Sequence, residues 1–109
     1  MGWTLVVSED ERFQREAIAR AGKNEHLVGA TGDASARSLV RGIDVSKILV
    51  DALDDVGQRF LSVLRTLPQG SLPGIDVVVV GRPNLITGRF KTAASIARAL
   101  APAEQKRAS

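Results

Sequence analysis

The chain has no cysteine and no tyrosine, one tryptophan and one histidine. Without cysteine there is no disulfide, no thiolate metal site and no thiol nucleophile. The single histidine, His26, has no second imidazole to share a metal with, and it reads as a surface residue at the start of a strand. Aromatic residues make up 4% of the chain, too few for a platform that stacks nucleic-acid bases. No apolar run approaches the roughly 20 residues that a membrane-spanning helix needs. The opening "WTLVV" is short, has no basic segment before it and gives way to "SEDE", which is not the pattern of a secretion signal. The expectation is a soluble, cytoplasmic protein with no membrane partner.

What is present suits one folded domain. In 109 residues, 44% are hydrophobic and 25% charged, enough for a single core. Net charge is +3, unevenly spread: from Arg82 onward six bases face the one acid Glu104. Such an edge can meet an acidic partner or serve as a solvated helix face with a basic tail. With so few aromatics, nucleic acid is not the expected partner. Residues 1–100 are expected to form the domain, and 101–109 a flexible basic tail.

Strand and helix patterns alternate along the chain. "WTLVVS" (3–8), "HLVGAT" (26–31), "KILVD" (47–51) and "IDVVVVG" (75–81) are short apolar runs rich in β-branched residues. The first and last of them call for cover on both faces. Between them lie helical stripes: Phe13, Ala17, Ile18 and Ala21; Ala36, Leu39, Val40 and Ile43, with Asp33 as cap; Val56, Phe60, Val63, Leu64 and Leu67. "LIT" (85–87) reads as a short fifth strand, and "KTAASIARAL" (91–100) as a closing helix with Ala93, Ile96, Ala97 and Leu100 inward. The pattern predicts an α/β fold with a doubly wound, parallel five-stranded sheet. Order 2-1-3-4-5 is one of the few arrangements that right-handed crossovers allow.

In that order the ligand site lies at the C-terminal ends of strands 1 and 3. Ser8, Glu9 and Asp10 follow the first strand and Asp51 ends the third. Neighbouring strands are about 4.8 Å apart, so Glu9, Asp10 and Asp51 could converge within about 5–7 Å. Two bare carboxylates at about 5 Å repel by roughly 3 kcal/mol at an effective dielectric of 20. A cation, a base or a raised pKa would have to offset that, and an oxygen-only site suits Mg²⁺. The plainer alternative is that Asp51 only ends a strand while its neighbours cap helices.

Three stretches in order, "TLVVSEDERFQREAIARAG", "KILVDALDDVGQRFLSVLRTL" and "LITGRFKTAASIARAL", resemble the receiver domain of bacterial two-component response regulators. The resemblance covers residues 3 to about 100 and implies a flavodoxin-like receiver fold. It places Asp51 at the phosphoacceptor position and implies Mg²⁺ held by Glu9, Asp10 and Asp51. The departures are as specific as the matches. The acidic pair falls on Ser8 and Glu9; the hydroxyl expected after strand 4 falls on Gly81; the lysine expected after strand 5 falls on Gly88, with Arg89 where proline is usual. Too few residues separate "DVVVVG" from "LIT" for a fourth helix, which is expected to be missing or vestigial. Arg89 or Lys91 would replace the lost lysine only if the last strand were shifted in register.

The function expected from this is that of a degenerate receiver, a pseudo-receiver. It would act through protein contacts with a kinase, an output domain or itself, a homodimer included, with little phosphate-driven switching. The basic loop "GRPNLITGRFK" (81–91), with Arg82, Arg89 and Lys91, is the candidate contact region. No Ser-His-Asp set or general acid–base pair is evident, so no enzymatic activity is expected. Two alternatives stand beside this reading. One is a working receiver phosphorylated on Asp51 by a histidine kinase. The other is a small flavodoxin-like protein that binds phosphate or a nucleotide through glycine loops such as "GATGDAS" (29–35).

Overall fold

The structure is a computed structural model that describes residues 2–22, 25–67, 74–81, 88–90 and 93–100. Strand β1 (Trp3–Val7) leads to α1 (Glu11–Arg20), β2 (Leu27–Ala30) to α2 (Asp33–Gly42), and β3 (Val45–Asp51) to α3 (Asp55–Arg65). Strands β4 (Ile75–Val80) and β5 (Gly88–Phe90) follow in succession, and α4 (Ala93–Ala99) closes the described chain. The sheet has five strands in the order β2-β1-β3-β4-β5. The α/β class and the strand order are as expected; the sheet is mostly parallel.

Strand β5 is the exception. It runs antiparallel to β4, with Ile75 opposite Phe90, Asp76 opposite Arg89 and Val77 opposite Gly88. The expected all-parallel sheet is therefore corrected at its last strand. A parallel pair needs a crossover of about a dozen residues or more, and 81–87 are too few to make one. The described strand also lies beyond "LIT", which falls outside the described residues, as do Arg82, Lys91, the tail 101–109 and the segment where a fourth helix is expected to be missing or vestigial.

Right-handed crossovers put α1 on one face of the sheet and α2 and α3 on the other. Helix α4 joins the second group, packing against α2 and α3. Alternation along the strands sends Leu5, Val7, Ile48, Val50, Ile75, Val77 and Phe90 into the core beneath those three helices. The stripes behave accordingly. Ala36 and Val40 of α2, Val56, Phe60 and Leu64 of α3, and Ile96, Ala97 and Leu100 at the end of the described chain are buried. The cap of α2 is Gly32, with Asp33 as its first residue, so Asp33 is not the cap expected.

The α1 face differs from expectation. Helix α1 has no fully buried residue, and Ile18, placed inward by its spacing, is 63% exposed. Gln14 takes the inward position instead, donating from Nε2 to the carbonyls of Val6 and Ser8, both at 3.1 Å, and of Ala30 at 3.4 Å. The Ala30 carbonyl also accepts from the N–H of Ser8 at 3.1 Å, so Gln14 adds a side-chain tie where β1 and β2 end. Farther across the same face Val78 and Val80 are half exposed, although the apolar run of β4 called for cover on both sides.

Candidate functional site

Asp51 is the last residue of β3, 6% exposed, at the mouth where β1 and β3 end side by side. Its carboxylate is held at both oxygens. The Ser8 hydroxyl donates to Oδ2 at 2.8 Å, and the backbone N–H of Leu53 donates to Oδ1 at 3.0 Å. Ser8 Oγ in turn accepts from the N–H of Asp10 at 3.0 Å. This chain of donors stabilises a buried carboxylate through charge-assisted hydrogen bonds. The bond from Leu53, two residues on, also bends the backbone into the turn that opens α3.

The other acids of the mouth are turned to backbone tasks. Asp10 is the N-cap of α1, its Oδ1 accepting from Arg12 N at 2.9 Å. Asp54 is the N-cap of α3, its Oδ2 accepting from Val56 N at 3.0 Å and Gly57 N at 3.3 Å. The same oxygen accepts from Glu9 N at 2.9 Å, so Asp54 ties the loop after β1 to the start of α3. Glu9 and Asp10 are exposed. Capping accounts for the sequence positions of Asp10 and Asp54, and each cap is worth about 1 kcal/mol.

The structure thus places Glu9, Asp10 and Asp51 around one mouth but does not gather them. Among the described residues no three acids form a group that could hold a metal ion. As folded, Asp51 accepts from a hydroxyl and an amide, and Asp10 caps its helix. The mouth does open into a depression of about 320 Å³ with Asp10, Arg12, Asp51 and Asp54 among its lining residues. Space for a phosphoryl group exists there.

The residues expected opposite Asp51 are elsewhere. Gly81 and Gly88 have backbone φ of 108° and 152°, the region that side-chain-bearing residues rarely adopt. A Cβ at Gly81 would also lie 3.1 Å from Leu53 Cγ. Glycine suits the backbone at these two positions, where the resemblance leads one to expect a hydroxyl and a lysine. Asp51 pairs with Val80 in β4, whereas Arg89 pairs with Asp76, about 13 Å back along the strand at the usual rise. Arg89 Nε donates to Asp76 Oδ1 at 2.8 Å and its Nη2 to Oδ2 at 3.2 Å, a two-pronged pair. The pairing holds the Asp76 carboxyl below the usual range and pushes the Arg89 guanidinium up; Lys47 adds to the effect on Asp76. Arg89 is exposed and does not face Asp51.

Sequence reasoning did not single out Asp54, Gln14 or Gly57. A methyl group at Gly57 would run into the carbonyl of Asp51, so this glycine lets α3 start directly beneath the site. Its signal was there: a glycine inside a predicted helix costs about 1 kcal/mol against alanine and asks for a packing reason. Asp54 carried the usual cap signature ahead of an apolar stripe. No family model, curated protein or solved structure matches the chain.

Proposed function

We propose that the chain is a degenerate receiver-type module that works through protein contacts and not through a phosphate-driven switch. One observation supports this most: the antiparallel β5. It puts positive-φ glycines at the hydroxyl and lysine positions and carries Arg89 away from the mouth. A phosphoryl group on Asp51 would find no hydroxyl on β4 or β5, and their one base, Arg89, is paired with Asp76 away from the mouth. Preorganised charges of that kind are worth several kcal/mol, so both the gain of the group and its effect are weakened. Ser8 keeps the unmodified carboxylate satisfied without help from either.

The test is phosphorylation of the intact chain with a small acyl phosphate and Mg²⁺, read by intact mass beside Asp51→Asn. The reading expects no stoichiometric phosphoryl gain in either protein. A gain in the parent chain that Asp51→Asn abolishes would favour the working-receiver alternative. Stabilisation of the chain by a nucleotide or flavin, with Asp51→Asn unaffected, would instead favour a small-ligand binder.

A further inference from the structure

Among the described residues, the sheet face that α1 occupies is only half covered. Beside α1, strands β3 and β4 present Lys47, Leu49, Val78 and Val80, the two valines 37% and 41% exposed. A groove of about 210 Å³ runs between the α1 flank of Phe13, Ala17 and Ala21 and the floor of Leu49 and Val80. Its charged lining is balanced: Glu16 and Glu25 stand against Arg20 and Lys47. Beyond the floor, Asp76 and Arg89 neutralise each other on the same face.

We propose that this groove is the contact surface of a two-fold dimer, covered by the same face of a second copy. A two-fold contact sets a patch against itself, so each acid must find a base within the same patch. The groove meets that condition with both signs in equal number around an apolar strip, although the chain as a whole carries +3. A partner drawn by charge, such as a nucleic acid, would select an excess of one sign, which this face lacks among the described residues. An apolar centre with a charged rim is also the ordinary make-up of a protein interface. The unfilled side of α1 then gains a neighbour, and Val78 and Val80 lose their contact with water. The inference rests on the reading of the chain as a contact module, with a second copy as the partner, and does not depend on Asp51.

The test is sedimentation velocity on the full chain from low micromolar to millimolar concentration. A reversible dimer is expected. Val80→Glu, which sets a charge near its own copy across the axis, should raise the dimer Kd by at least about tenfold. Because a strand substitution can cost the fold, Arg20→Glu on exposed α1 gives a second reading, with circular dichroism as the check. It should weaken the dimer, and adding Glu16→Arg should restore it by returning the balance of charge. Ser38→Glu on α2 should change nothing. A chain that stays monomeric throughout overturns the proposal, whatever else can bind the groove, and so does a dimer indifferent to Val80→Glu and Arg20→Glu. A dimer whose Asp51 takes phosphate would sink the pseudo-receiver reading and leave this one standing.

Discussion

Val77 and Val78 are neighbours in one strand, yet the first is 2% exposed beneath helices and the second 37% exposed on the opposite face. Among the described residues, three helices lie over one side of the sheet and α1 alone over the other. Strand β5 returns antiparallel with Arg89 away from Asp51, and α4 packs on the α2 and α3 side. The buried core lies chiefly under the first face, and the second leaves Val78 and Val80 in contact with water.

The largest expected effect tests that division. Phe60→Ala, in the closed face at 0% exposure, should cost about 3–5 kcal/mol, while Val78→Ala in dilute protein should stay within about 0.5 kcal/mol. Urea midpoints of the two variants measure the contrast, and similar losses would break the comparison. Gly57→Ala sharpens it at the mouth. Helix propensity alone would make that change stabilising by about 1 kcal/mol, but the contact with the Asp51 carbonyl should make it destabilising by about 1–3 kcal/mol. The sign of the shift in urea midpoint decides between them.

The smallest effect belongs to Asp76 on the open face. Its folded pKa is lowered, first by the hydrogen bond from Arg89, so the pairing contributes fully above the unfolded carboxylate value. That contribution fades as the pH falls through the lowered folded value. Asp76→Asn should therefore flatten the acid limb of the stability curve slightly and leave neutral pH nearly unchanged, since both partners are well exposed. Thermal melts across the acid range give the reading; a large loss at neutral pH would mean that the pair is buried by a partner.

Much of this fold is legible in the residues. The β-branched runs of β1, β3 and β4 and the stripes of α2 and α3 lead to the strand order, because their burial obeys simple periodicity. The α1 stripe misleads at Ile18, since periodicity says which side chains share a face but not whether anything covers it. The direction of β5 is not carried by periodicity, although the shortness of 81–87, which points to the loss of a helix, also excludes a crossover. At the site, the position of Asp51 was legible and its surroundings were not. Glu9, Asp10 and Asp51 look like a cation site in one dimension, but the helix starts at Glu11 and Asp55 had a prior use for nearby carboxylates as caps. Ser8 looked like an acid lost from a pair, while in the fold it supplies the donor that keeps Asp51 satisfied.

The central claim is that Asp51 is a held carboxylate, cut off from the far side of the sheet. Backbone-amide NMR, with Mg²⁺ and then beryllofluoride added to the chain and to Asp51→Asn, tests it most directly. The account predicts no saturable shifts at Ser8, Asp51 or Leu53 that depend on both additions. Saturable shifts around Asp51 that vanish in Asp51→Asn, and that spread to Gly81 and Gly88–Phe90, would contradict it.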